Sequence, residues 1–483
     1  MKTSWTGVLF NAESPTVVSK MKQFTITDAV SRGICSGCGA CAVVDDGIRV
    51  ERDGYGVMQA KLPAGFDPGK SKASVVCPFS DEAPTEDEHG KKLWGAGMNS
   101  DPRVGHFMSL YAGRVEDQAS ITQSSSGGLT SWICAQLLGA GIVDGVLHVA
   151  KKVQPDSKRE LFEFSISTGV EQLMSERKSQ YYSVSASDVL NRIRGDGKRY
   201  AFVGVPCFIK AIRNLQNVES EFRVQIPVLV GLVCGHLKSS AFAELMAWQV
   251  GVNPRELQAV DFRVKDPNRL ASRYAFAATN VAGKTFSKTS SQLLGGNWGH
   301  ATMQLTACNY CDDIFAELAD VSLGDAWIPR FENNWQGTNV LVVRNAEIDA
   351  ILRAASDRKE IYLEKLPIDE LSSSQDGNFR HRRMDLQVRL ADDMAADLAV
   401  PKKRMSPDVN SVPPARVELL RLRRKMAEVS HAFFLDAKKS SSLNVFVRGM
   451  RPYTRKMDGM TKPPLLVRAI RKLLRLLRKR QGL

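Results

Sequence analysis

Tyr200-Ala201-Phe202-Val203-Gly204-Val205 leads through Pro206-Cys207 into Phe208-Ile209-Lys210-Ala211-Ile212-Arg213-Asn214-Leu215. The first run is short and apolar, as a strand buried on both faces should be. The second repeats its apolar residues at helical spacing. The same alternation extends to either side. Ile142–Val149 and Ile226–Val233 read as strands, and Leu129–Leu138 reads as a helix. Short apolar strands alternating with helices predict an α/β body with a mixed sheet core.

Outward from that core the chain divides into five parts. Residues 1–30 form an extension in which Thr27-Asp28 suggests a capped short helix. Residues 31–104, rich in Gly, Pro and Asp, form a small ferredoxin-like segment expected to be loop-rich and held by metal. Residues 105–400 form the main body, 401–414 a proline-rich linker, and 415–483 a basic helical tail. The chain has 483 residues, 43% hydrophobic and 24% charged, the composition of a folded protein of two or three domains. No stretch of about 18 apolar residues would span a bilayer, and Met1 to Lys20 lacks the pattern of a signal peptide. A cytoplasmic location is therefore expected, where clustered cysteines bind metal or do redox chemistry.

The net charge of +14 is localised. Residues 401–483 carry 22 Lys/Arg and 5 Asp/Glu, against 44 and 47 in residues 1–400. A near-neutral body with a basic tail argues against nucleic acid as the main ligand and for an electrostatic anchor.

Cys35-Ser36-Gly37-Cys38-Gly39-Ala40-Cys41 places three thiols two residues apart, so that the backbone can curl round a cubane. The fourth ligand of a [4Fe–4S] site typically precedes a proline, and Cys77-Pro78 supplies one. Four sulfurs would also serve a structural zinc, although the closely spaced third cysteine fits a cluster better. Cys207 and Cys234 each follow a strand, and Cys308-Asn309-Tyr310-Cys311 adds a pair. These four either converge as a second cluster site or include buried apolar cysteines of no chemical role. Cys134, within the apolar helix, reads as core.

Ser124-Ser125-Ser126-Gly127-Gly128 feeds the helix at Leu129. Such a loop presents free N–H groups, hydroxyls and the positive helix end to a phosphate, or it is an ordinary turn and cap. Arg263 and Lys265 alternate along an expected strand, facing an anionic substrate or forming a charged sheet face. His236 beside Cys234 reads as a structural hydrogen-bonder. No catalytic triad, Walker loop or carboxylate pair stands out.

Cys35–Cys41, Ser124–Thr130, Gly204-Val205-Pro206-Cys207, Gly231–Gly235, Cys308–Cys311 and Ala319–Trp327 occur in this order. Together they resemble the coenzyme F420 hydrogenase/dehydrogenase beta-subunit family over roughly residues 30–395. That family includes archaeal F420-reducing subunits, a plant chlorophyll-cycle reductase and bacterial members linked to surface polysaccharide pathways. The resemblance implies an iron–sulfur flavoprotein oxidoreductase with FAD and a second cluster on Cys207, Cys234, Cys308 and Cys311. It implies that Ser124–Gly128 with Lys178 and Tyr181 contact the flavin, and that Lys178 and Asp325 are candidate catalytic residues. Here Cys77-Pro78 lies far from the first three cysteines, unlike the archaeal ferredoxin-type arrangement. The mechanism implied passes electrons between ferredoxin or a similar carrier, the clusters and FAD. F420-dependent or hydrogenase-associated activity is an alternative, and a zinc-stabilised binding protein is a non-enzymatic one.

Pro464 opens an amphipathic pattern to Arg480. Arg468, Arg471, Lys472, Arg475, Arg478 and Lys479 share one face, opposite Leu466, Ile470, Leu473, Leu474 and Leu477. A basic helix of this kind suits an anionic membrane surface; docking on the body, a partner protein or nucleic acid are alternatives. The tail and the family's bacterial associations together suggest polysaccharide or glycoconjugate synthesis at the inner membrane face.

Overall fold

The computed structural model describes residues 23–152 and 160–461. Its centre is an eight-stranded mixed sheet. The strands are β1 (Ser109–Val115), β2 (Gly145–Lys151), β3 (Phe162–Ser167), β4 (Tyr200–Gly204), β5 (Val228–Leu232), β6 (Val321–Asp325), β7 (Asn339–Val343) and β8 (Ile361–Lys365), in the spatial order β8-β1-β7-β6-β5-β4-β2-β3. The four central strands β6, β5, β4 and β2 are parallel, and antiparallel strands flank them on both sides. Burial on both faces explains why β4 and β5 read as apolar runs. Helix α1 (Leu129–Gly139) and helix α2 (Pro206–Val218) stand where the helical spacing predicts them. Cys134 is buried in the core between α1 and the sheet.

The parallel strands deliver chemistry at their carboxyl ends, as open α/β sheets do. Beyond β4 comes Cys207, beyond β5 comes Cys234, and β6 ends in Asp325. Close approach at this edge requires glycine. A Cβ on Gly231 would lie 2.5 Å from that of Ala316, and one on Gly324 would lie 2.6 Å from that of Val233.

A second, three-stranded antiparallel sheet (Leu257–Val264, Ala275–Asn280, Thr285–Thr289) packs beside the first. The first helix among the described residues is Ile26–Ser31, capped by Thr25 and Asp28 rather than beginning after Thr27-Asp28. Capping requires the Thr hydroxyl one residue before the helix and the carboxylate three residues on.

After Pro413 the chain forms a helical hairpin, α3 (Pro414–Lys439) and α4 (Leu443–Thr461). Phe434 of α3 packs edge-on against Trp248 and Phe446, and Ser430 Oγ accepts a 2.8 Å hydrogen bond from the Met303 N–H. The amphipathic segment 464–480 lies outside the described residues. Among the described residues no helix is long and apolar enough to cross a membrane.

Asp393 ties three distant parts of the chain together. It accepts from Arg32 at 2.8 Å, from Arg424 of α3 at 2.6 Å and from the Tyr310 hydroxyl. Burial pushes the Asp393 carboxyl up, but the hydrogen bonds from Arg424, Tyr310 and Arg32 outweigh it and hold its pKa below the ordinary range. Asp393→Ala is expected to lower stability by about 3–5 kcal/mol, since it strands two partly buried guanidinium groups. The contribution of Asp393 is fully present above its unfolded pKa of about 3.9 and is lost as pH falls towards the lower folded value. Urea titrations of both proteins at neutral pH and at pH 3 check the difference and its narrowing in acid.

Candidate functional site

The first cysteine motif forms a tight loop because two of its glycines adopt left-handed backbone. Gly37 has φ +75° and Gly39 φ +91°. A Cβ there would lie 2.6 Å from the Met58 Cβ or 2.5 Å from the Ser187 nitrogen. The curled loop brings Cys35, Cys38 and Cys41 onto one small cavity, and Cys77-Pro78 completes its wall. Backbone N–H groups of Gly37 and Ala60 point at Cys35 Sγ, at 3.4 and 3.5 Å. Burial pushes the Cys38 thiol up to about 12 and that of Cys77 up to about 11, and neighbouring sulfurs add to both. Four thiolates are stable side by side here only around a positive centre.

The second group assembles from four separate places. Cys207 is the second residue of α2, Cys234 follows β5, Cys308 lies in the turn Thr306–Asn309, and Cys311 follows that turn. Their mutual repulsion, after burial, raises the Cys207 thiol well above its usual range, with Cys311, Cys234 and Cys308 contributing in that order and Cys38 of the first group last. The two groups of four therefore adjoin. Arg382, whose side chain is fully buried, lies over the second group, with Nη2 3.6 Å from Cys234 Sγ and donating to the Gly235 carbonyl. Its Nη1 is buried without an acceptor among the described residues, and the Leu237 N–H donates to Cys308 Sγ at 3.1 Å. A guanidinium with an unmet donor beside four thiols suits an anionic thiolate-ligated centre.

The second group borders, through Cys234, a cavity of about 980 Å³, within the range of cofactor pockets. Cys234 lines it, and Ser36 lies on the wall of both this cavity and the smaller one. Ser124, Ser125, Ser126 and Gly128 of the serine loop line it too. Gly127 does not. A Cβ there would lie 2.7 Å from Asn339 Oδ1 and 2.8 Å from the Gly113 carbonyl, so this glycine lets the loop pack against the sheet. Of the hydroxyls, Ser124 and Ser126 donate to the carbonyls of Ser120 and Thr338. Ser125 Oγ accepts from the Ser179 N–H and keeps its own proton to donate. The free helix end expected at Leu129 is partly used, because the Leu129 N–H donates to Asn339 Oδ1.

Lys178 and Tyr181 line the same cavity. Lys178 is held 3.0 Å from Asp261 and donates to the Arg263 carbonyl. Tyr181 stands edge-on between Phe262 and Trp298, and its burial raises the phenol above its ordinary range. Asp325 receives a two-pronged ion pair from Arg263, at 2.9 and 3.0 Å, and Arg263 lies over the rings of Tyr274 and Trp327. Arg263 and Lys265 thus do not form a charged sheet face. Lys265, just past the strand, donates to the carbonyls of Ile121 and Ser126 at 2.7 Å and to that of Gln336, and so holds the serine loop in shape. His236 lies 4.4 Å from the Trp298 ring, with Nε2 buried and unpartnered among the described residues. Sequence reasoning missed Arg382, the loop-holding role of Lys265 and the hairpin's place on the cavity, none of which lies in a recognisable motif.

The chain is similar to several known proteins. The profile for the N-terminal part of the coenzyme F420 hydrogenase/dehydrogenase beta subunit matches residues 110–191, and that for its C-terminal part matches residues 197–369. All four cysteines of the second group fall in the latter match, whereas the first group and the hairpin fall outside both. A coenzyme F420-dependent sulfite reductase of Methanocaldococcus jannaschii is 21% identical over 371 residues, covering 72% of this chain and 50% of the relative. The chain thus spans about half the length of that curated relative. A chain of the F420-reducing [NiFe] hydrogenase complex from Methanosarcina barkeri is 16% identical with a TM-score of 0.46, covering 63% of this chain and 98% of that one.

Proposed function

The chain belongs to the coenzyme F420 hydrogenase/dehydrogenase beta-subunit family, and from that premise we propose that it is an iron–sulfur flavoprotein oxidoreductase with two adjoining [4Fe–4S] sites and one FAD. The observation that carries this reading is the gathering of eight cysteines in two adjoining groups of four, the second of which borders one large cavity through Cys234. Cys35, Cys38, Cys41 and Cys77 would hold one cluster, and Cys207, Cys234, Cys308 and Cys311 the other. The chemistry these groups supply when bound is hydride exchange at a flavin and single-electron relay through clusters.

The protein's own part is positional and electrostatic. Amide N–H groups aimed at Cys35 and Cys308, with Arg382 over the second group, offset thiolate charge. Tyr181 and Trp298 keep water from the middle of the cavity, while Ser125 offers a donor to a phosphate. Lys178, held by Asp261, adds positive charge on the same wall. Asp325 is committed to Arg263, so its role is to fix that guanidinium rather than to move a proton. Ferredoxin or a similar one-electron carrier is the proposed partner. The relative's F420 dependence favours a second reading in which a deazaflavin takes the hydride.

Anaerobic purification followed by iron, sulfide, zinc and flavin analysis tests the proposal. The expected result is about eight irons and one FAD per chain. Zinc without flavin would overturn it and support a binding protein instead. For residues 464–480 we retain the proposal of an anionic membrane surface in glycoconjugate synthesis. Deleting 462–483 is expected to abolish co-sedimentation with vesicles rich in phosphatidylglycerol; unchanged sedimentation would sink the anchoring idea.

A further inference from the structure

The hairpin α3–α4 lies beyond the family match, yet Arg416, Leu419, Arg423, Met457 and Thr461 form part of the large cavity's wall. Contacts along that wall run from Ser125 to Ser179, then past Tyr181 to Trp298, 4.9 Å away, whose carbonyl accepts from Arg423. Two aromatic side chains therefore separate the serine loop from the hairpin end.

The hairpin end is rich in cations with few anions to meet them. Arg423 is half-buried and donates to the carbonyls of Trp298 and Gly299, to Gln304 Oε1 and to His381 Nδ1, all neutral acceptors. Lys238, fully buried, donates to the Thr302 carbonyl and lies 4.9 Å from the Trp298 ring centre. Arg416 is met by a two-pronged ion pair with the buried Asp385 carboxylate, whose Oδ2 lies 3.9 Å from His381 Nδ1. Arg380 is exposed at the cavity and has no carboxylate partner among the described residues.

The two imidazoles sharpen the picture. His381 Nδ1 accepts from Arg389 Nη1 at 3.2 Å and from Arg423 Nη1. A ring nitrogen that accepts from guanidinium donors carries no proton, so the proton of neutral His381 sits on Nε2. That Nε2–H is buried with no acceptor among the described residues, and His236 Nε2 is likewise buried and unpartnered. The two side chains line the cavity and are only 6% and 5% exposed. A buried donor without an acceptor, close to Arg423 with its neutral acceptors and in a cavity that Arg380 also lines, calls for an oxyanion.

We propose that the cavity beside the hairpin end is an oxyanion subsite, formed by His381, His236 and Arg380, that takes the phosphate or carboxylate group of the substrate. This rests on the flavoprotein reading, in which the substrate's reducible part lies on the Tyr181 side. The hairpin, outside the shared family body, then sets which anionic substrates this chain accepts.

The test is calorimetric titration of the anaerobically purified, flavin-loaded whole chain with inorganic phosphate and, separately, with glutarate, at constant ionic strength in chloride. One equivalent of at least one probe is expected to bind. Preference for phosphate would mark a phosphate ester as substrate, and preference for glutarate a carboxylate. Arg380→Gln and His381→Gln are each expected to weaken binding about tenfold, with iron and flavin content retained. Arg380 is exposed, so its variant stays informative even if His381→Gln fails to fold. Absence of binding by both probes, or undiminished affinity in Arg380→Gln, would overturn the subsite. Release of flavin by phosphate would overturn it too, by assigning these groups to the flavin's own phosphates. Cofactor analysis decides the flavoprotein reading separately: binding that is lost in the variants of an iron-free protein would keep the subsite and reject the redox reading.

Discussion

Cys234→Ala should halve the iron of the anaerobically purified protein, from about eight to about four atoms per chain, while the first cluster persists. Cys234 is the thiol that borders both the large cavity and the second group, and Arg382 lies 3.6 Å from it. Removing that sulfur leaves three ligands and a buried guanidinium with still fewer acceptors. The loss should be cooperative, because Cys207, Cys308 and Cys311 come from separate segments and meet only there. Cys134→Ala is the matched control, since Cys134 packs in the core between α1 and the sheet, and it should leave the iron content unchanged. If Cys234→Ala keeps all its iron, the second group is not a cluster site. Reduced activity towards any substrate should accompany the halved iron, since electrons would have to bypass this position.

The second large effect is expected at Arg263. This guanidinium is 5% exposed and its two hydrogen bonds to Asp325 form at the carboxyl end of β6. Arg263→Met removes the cation and leaves the Asp325 carboxylate facing the cavity alone. Breaking a buried pair from one side costs about 3–5 kcal/mol, more than the pair itself contributes. Adding Asp325→Asn to Arg263→Met should therefore recover a large part of the loss. Guanidinium chloride midpoints of the wild type, both single variants and the double variant form the cycle that measures this. Equal stability of the Arg263→Met and double variants would show that Asp325 finds another partner. Flavin retention should follow the same order, because Arg263 also aligns the rings of Tyr274 and Trp327 on the cavity wall.

Much of this molecule is legible in its sequence where chemistry is local. The apolar runs at β4 and β5 announce buried strands because burial on both faces leaves no room for polar alternation. Cys35, Cys38 and Cys41 announce a shared centre because their spacing alone brings them round one point, given left-handed Gly37 and Gly39. The serine loop is visible as a helix-entry turn. Other roles were invisible for the opposite reason. Gly127 reads as a phosphate-contacting glycine, but the proximity of Asn339 and Gly113, far away in sequence, makes it a packing residue. Lys265 reads as a charge on a strand, but the carbonyls that take its protons come from three separate segments.

What the sequence by itself determined is therefore the α/β core and the thiol inventory, since hydrophobic periodicity and short-range spacing are properties of neighbouring residues. Only the tertiary structure decided that the two thiol groups adjoin, that Arg382 serves the second, and that the hairpin closes part of the cavity. Those facts depend on contacts between residues tens to hundreds of positions apart. The physical reason is that charge and hydrogen-bond partners are selected by distance in space, where a buried donor must find an acceptor whatever segment supplies it.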